Sequence, residues 1–341
     1  MKMNALTHIL TGALLAALYS GALAHHSNAE YDQSMLHEIE GEIVSARWRN
    51  PHIAFEVATI DENGAEVIWD LEALAVSALN RRGVTGEQLR VGERVRVAGF
   101  TSSHREQHMH AEHVLLPGDV ELLTGFSREP HWTGTTIGTE SGVLDPVEVA
   151  AAQGDGIFRV WSRDARTWYF HPPDQYPVTA AAAAQAAGWN DLEDNPVLRC
   201  EPPGMPPLMG NPYPMEFIDR GDIIEVRFEE FDAVREIHLA GGSLAAQPAT
   251  HMGYSTGRWE DNTLVVTTTR ISWPHFNRLG IRQTEAVEVQ ERFELTDSDE
   301  TILYELTVTD PATLTEPYVW NGRWIWRPGE VVDRYDCSLE E

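Results

Sequence analysis

Histidines carry the chemistry most open to this chain. His25 and His26 stand side by side near the start, His52 follows Asn50-Pro51, and His104, His108, His110 and His113 crowd into ten residues. Neutral imidazole is a ligand for copper, zinc or nickel, and an N-terminal histidine adds its free α-amine as a second nitrogen. Cleavage after Ala24 would create that terminus. His25 with its amine, His26 and His52 then make a candidate copper site. In the second cluster, His108 and His110 share one face of a strand, two residues apart, and Glu112 falls on the same face. Met109 between them adds a soft thioether, which favours copper over zinc. The plainer alternatives are a frayed terminus and a hairpin tip with histidines in water.

A third group lies in the C-terminal half: His238, His251, Tyr254, Trp259, Trp273, His275 and Glu291, with Arg258 and Glu285 nearby. A histidine and a carboxylate converging in an apolar barrel can bind a small ligand or do acid-base work. The plainer alternative is a set of satisfied core polar groups. Gly-x-Ser-x-Gly, Gly-x-x-x-x-Gly-Lys and His-Glu-x-x-His are all absent from the sequence. Cys200 and Cys337, the only cysteines, are too far apart for a Cys-x-x-Cys motif and read as one structural disulfide. A loop of that length contributes up to roughly 5 kcal/mol in the chain-entropy model.

These side chains need elements to hold them, and the first element is a leader. Lys2 is a positive start, Ile9 to Leu18 an apolar core, and Ala22-Leu23-Ala24 the small-x-small pattern of signal cleavage. The expectation is a signal peptide over 1–24 and a periplasmic or secreted protein. A formal net charge of −28 repels phosphate backbones and anionic lipid, so nucleic acid is an unsuitable partner. No second apolar run is long enough to cross a bilayer, so no transmembrane span is expected.

The 341 residues exceed what one core usually organises. Residues 25–120 alternate at period two in about five segments, with a helix-compatible stretch at Leu74 to Asn80 after the third, which suits an OB-like barrel. Residues 121–194 read as an aromatic-rich connector with short helices, one from Thr179 to Ala187. Residues 195–341 hold about eight strands, which suits an antiparallel lipocalin-like barrel with room for a small ligand. The fold class expected is therefore mainly β, with two barrels.

His25-His26-Ser27, Tyr31-Asp32, Gly41, Trp48-Arg49-Asn50-Pro51-His52 and Arg81-Arg82-Gly83 resemble an exported proteobacterial family of unknown function whose members begin His-His-Ser and carry Asn-Pro-His after the first strand. The resemblance covers about Ala24 to Val120. Gly156-Ile157-Phe158-Arg159-Val160-Trp161, Asp194-Asn195-Pro196 and Gly257-Arg258-Trp259-Glu260 look like the long C-terminal extension of some members. The resemblance implies export and this domain layout; it supplies no reaction. The reading is a periplasmic binding protein for a small apolar ligand, with copper as the one cofactor considered. The alternatives are an enzyme, either a copper-dependent oxidase or a metal-free isomerase or lyase, and a structural or accessory subunit.

Overall fold

The computed structural model describes residues 31–139, 155–164, 175–240, 247–296 and 298–337. His25, His26 and the leader lie outside them. The chain is mainly β and builds two closed barrels.

The first barrel comprises β1 (His37–Arg47), β2 (Ala54–Ile60), β3 (Glu66–Glu72), β4 (Arg94–Thr101) and β5 (His108–Leu116), with α1 (Val76–Asn80) after the third strand. Strands pair in the order β3-β2-β1-β4-β5, and a parallel β3–β5 contact closes the ring. That order, with a helix between the third and fourth strands, is the OB arrangement. Alternation explains the interior: Ile43, Phe55, Val57, Leu71, Val97, Met109 and Ala111 all point inward and are buried. Such a small ring needs a strand that can be approached closely. A Cβ on Gly41 would lie 2.1 Å from the Ala58 carbonyl oxygen of the neighbouring strand, so only glycine fits there. Two further strands, β6 (Val120–Leu123) and β7 (Thr135–Ile137), extend the sheet beyond β5.

The second barrel is a ring of nine strands. β8 (Val160–Arg163) is followed by β9 (Met215–Asp219), β10 (Ile223–Phe228), β11 (Val234–His238), β12 (Tyr254–Glu260), β13 (Thr263–Thr269), β14 (Glu288–Leu295), β15 (Thr301–Thr309) and β16 (Tyr318–Trp326), which pairs back onto β8. Eight were expected; the ninth, β8, comes from the connector. All neighbours are antiparallel except β11 and β12. Between β8 and β9 the connector forms α2 (Ala180–Ala186), capped by the Thr179 side chain, and α3 (Asp191–Asp194).

Trp161, Phe217, Phe293, Tyr304 and Trp324 fill the second barrel. Alternation favours burial of Trp259, Trp273, Trp324 and Trp326 in this barrel; Trp273 and Trp324 are buried and Trp326 is half-buried, but Trp259 is 42% exposed. The reason is local. Trp259 is next to the hairpin end of β12, where the barrel wall stops, and packs only edge-on against Phe158.

The barrels meet along a compact junction. Cys200 and Cys337 form the expected disulfide, with Cα atoms 5.9 Å apart. Cys337 also bridges to Asn50, Tyr213 donates to the Pro51 carbonyl at 3.3 Å, and Ala75, Tyr213 and Tyr335 pack together. Glu229 and Glu230 are buried there. Burial pushes both carboxyls up to about 7, outweighing the help of Asn211 and Arg278 at Glu230 and of Arg81 at Glu229.

Candidate functional site

Alternation along β3 turns Leu71 into the first barrel and Asp70 and Glu72 out. Along β5 it turns Met109 in and His108 and His110 out. The parallel pairing at the seam then sets Asp70 beside His108 and Glu72 beside His110. His52, two residues before β2, lies close enough to Glu72 to stabilise its charge. The outer face of the seam thus carries three histidines and two carboxylates.

This face is covered. His108, His110 and His113 are 3%, 6% and 3% exposed, so they are not a hairpin tip in water. Tyr31, from the segment before β1, stacks on His108 with ring centroids 5.8 Å apart, and Phe126 stacks on His110 at 5.2 Å. His52 and His104 are exposed.

Hydrogen bonds fix the rings. His108 Nδ1 meets Asp70 Oδ2 at 2.9 Å, His110 Nδ1 meets Glu112 Oε1 at 2.9 Å, and His52 Nδ1 meets the Ala73 carbonyl at 3.2 Å. An oxygen partner at Nδ1 requires the proton there, so a neutral ring keeps its lone pair on Nε2. On both His52 and His110 the proton therefore sits on Nδ1, which leaves Nε2 as the atom that a metal would meet. His108 differs, because its Nε2 lies 2.9 Å from the Tyr31 hydroxyl, which donates its one proton to Glu72. His108 therefore has an oxygen partner at each ring nitrogen, Asp70 at Nδ1 and Tyr31 at Nε2. Arg105 donates to the same hydroxyl at 3.4 Å.

The carboxylates respond to this company. Burial alone would raise the Glu72 carboxyl, but the charge of His52, the Tyr31 hydroxyl and the rings of His108 and His110 hold it at about 2. The His108 hydrogen bond keeps Asp70 below the usual carboxylate range. Glu112 is also lowered: burial opposes this, and the His110 ring and the Ser127 amide prevail. Further along β5, His113 Nδ1 meets Glu121 Oε1 at 2.8 Å. Burial lowers that histidine despite the carboxylate.

Met109 corrects one expectation. It is fully buried on the other side of β5, within the core, so its thioether does not join the imidazoles. Asp70, Glu72, Arg105 and Phe126 were not singled out from the sequence, and Tyr31 stood out only as part of the family resemblance. Parity on β3 signals Asp70 and Glu72 as an outward pair, while nothing local signals the seam. Among the described residues no three His, Cys, Asp or Glu side chains are grouped so as to hold a metal by themselves.

The C-terminal candidates separate into three places. Glu291 is fully buried and takes both guanidinium nitrogens of Arg235, Nη1 at 3.1 Å, together with the Tyr304 hydroxyl at 2.8 Å. Arg235 also donates to Ser255 at 2.9 Å and Thr268 at 2.6 Å. Its partner is therefore an arginine, in a saturated network; the shared parity of Arg235 and Ile237 is the signal for it. His238 stacks on Tyr254 at 4.7 Å at the barrel rim. Trp273 contacts both His251, at 5.0 Å, and His275, at 5.2 Å, and Trp189 of the connector covers His275 at 5.1 Å. Trp189, Trp273, His275, Asn277 and Arg278 line a cavity of about 20 Å³, room for roughly one water and no organic ligand. Arg258 lies on the outer face with Glu260, and Glu285 is exposed.

Fold and site together define an OB-like barrel with an imidazole and carboxylate array on its outer seam, joined to a filled nine-stranded barrel. Residues 13–110 match the model of a family of unknown function (DUF6152), a stretch that contains the first barrel as far as His110. No curated protein matches the chain.

Proposed function

We propose that this is an exported metal-binding protein, with copper as the ion, held by His25 through its amine and imidazole, by His26 or His52, and by the Nε2 atom of His110. The observation that carries the reading is the ordering of His52 and His110 about Glu72 with Nδ1 of each on an oxygen. That is the arrangement by which proteins orient ligating histidines. Tyr31 supports the N-terminal contribution. It is anchored on Glu72 and His108, and the five residues of chain from His26 to Tyr31 can span at most about 18 Å. The leader pattern and the disulfide support export, since structural disulfides persist in oxidising compartments. No described helix is long and apolar enough to cross a membrane.

Protein recovered from the periplasm is to be assayed for metal by elemental analysis, with copper affinity from competition titration and nitrogen coupling from electron paramagnetic resonance. One copper per chain is expected. His52→Ala and His110→Ala should each weaken it at least about tenfold, as should one residue added before His25, while His238→Ala leaves it unchanged. Affinity indifferent to both His52 and His110 would overturn the reading.

A second reading keeps a small apolar ligand in the larger barrel. Its support is the closed architecture. Because Trp161, Tyr304 and Trp324 occupy the interior, such a ligand must displace them, and native mass spectra of the same samples will show or refute an added mass.

A further inference from the structure

His52 is exposed, yet its ring is held. Two short segments of the first barrel explain this: residues 50–53 lead into β2, and residues 73–76 lead from β3 into α1. They are laced together. The Ile53 amide donates to the Leu74 carbonyl at 3.3 Å, the Ala73 amide to the Ile53 carbonyl at 3.0 Å, and the Val76 amide to the side-chain oxygen of Asn50 at 3.2 Å. The bond from His52 Nδ1 to the Ala73 carbonyl adds one more rung.

The second barrel backs both segments. Cys337 forms a parallel bridge with Asn50, the Tyr213 hydroxyl donates to the Pro51 carbonyl, and Ala75 packs against Tyr213 and Tyr335. This backing is itself fixed at several points. Cys337 is bonded to Cys200. The Tyr335 amide donates to Asp232 Oδ1 at 3.1 Å, and its ring meets Phe231 at 4.6 Å and Tyr213 at 5.3 Å. Phe231 and Asp232 belong to the turn between β10 and β11, and Tyr213 leads into β9. Asn50, Ala75, Tyr213 and Tyr335 are all buried. A continuous chain of packed side chains and hydrogen bonds therefore runs from the wall of the second barrel to the peptide that carries His52, and constraint travels through such contacts. A ligand already held in one orientation gives up less side-chain freedom when it binds.

We propose that the second barrel positions His52: Tyr213 and the disulfide-anchored segment ending in Cys337 hold Asn50-Pro51, so that the His52 ring is fixed before a metal arrives. Asn50, Tyr213 and Cys337 are then positioning residues for a site on the other barrel. The inference rests on the copper reading with His52 as a ligand. His110 is oriented from within the first barrel, by Glu112 on its own strand, and so provides an internal comparison.

The test uses the whole protein, metal-free and isotope-labelled at histidine, and compares the ring-nitrogen resonances of His52 and His110 at one fixed pH. The unsubstituted protein is expected to show the His52 proton on Nδ1. Tyr213→Phe keeps the buried ring and removes only the oxygen on Pro51; it should shift the His52 resonances towards mixed tautomers and leave those of His110 in place. Cys200→Ser combined with Cys337→Ser should do the same and lower copper affinity about tenfold, the low end for groups that orient a metal ligand. A general loosening of the fold would move both rings. His52 resonances that stay put in Tyr213→Phe, or that move together with those of His110, overturn the proposal. Absence of copper binding by the unsubstituted protein would end the copper reading and leave the comparison of the two rings intact.

Discussion

At Tyr31 a single hydroxyl joins Glu72, His108 and Arg105. Tyr31→Phe keeps the ring that covers His108 and removes only that oxygen, leaving Glu72 and His108 short of a partner. Destabilisation of about 2 kcal/mol is expected from urea unfolding, the usual cost of a hydrogen bond lost from charged groups. An unchanged unfolding midpoint would show that water replaces the hydroxyl. At this scale the site was partly legible. Period-two alternation places His108, His110 and Glu112 on one face, as the structure shows. The same rule sends Met109 inward, and its thioether was expected beside the imidazoles only because neighbours in sequence were read as neighbours in space. Asp70 and Glu72 are outward by parity, but their partners lie 38 positions further on, and parity carries no information across that distance. Arg235 escaped notice because its run, Val234 to His238, mixes charged and apolar residues.

Among the elements, β1 bears the tightest constraint. A methyl on Gly41 would run into the Ala58 carbonyl at 2.1 Å, and a backbone oxygen in a paired strand has little freedom to move. Gly41→Ala is therefore expected to cost about 3 kcal/mol, the upper part of the range for overpacking, read as a lowered midpoint in thermal unfolding. The five strands and the helix of the first barrel follow from alternation and turn residues, and that order was legible. The ninth strand of the second barrel was not. Val160–Arg163 is four residues long, too short for a periodic signal, and it becomes a strand because β16 and β9 leave room for it between them. The parallel pairing of β11 and β12 was hidden for a related reason: the connection between them is too long to be a hairpin.

For the whole molecule, the junction sets the response to pH. Glu229 and Glu230 titrate near 7 when folded, against an ordinary value of 4.5. Between those values the folded state holds protons that the unfolded chain has released. Their contribution is present in full below about pH 4.5 and is lost as pH rises through 7, by up to about 3 kcal/mol for each group. Urea unfolding at pH 5 and pH 8 should show this decline, and Glu229→Gln should reduce it by about half; a flat profile would mean both groups ionise freely in the folded state. The layout of two barrels was legible from the change of texture along the chain, and the bond between Cys200 and Cys337 from their isolation. What the bond secures was not: the last described segment, with Glu330, Tyr335 and Cys337, closes the junction. The parallel seam of the first barrel also has a bearing on time. Strands β3 and β5 contribute opposite halves of the histidine and carboxylate array, and only barrel closure brings the halves together. Before closure the chain offers an ion nothing but scattered side chains. On the proposed function, loading must wait for the end of folding, so the geometry of closure schedules the arrival of the metal.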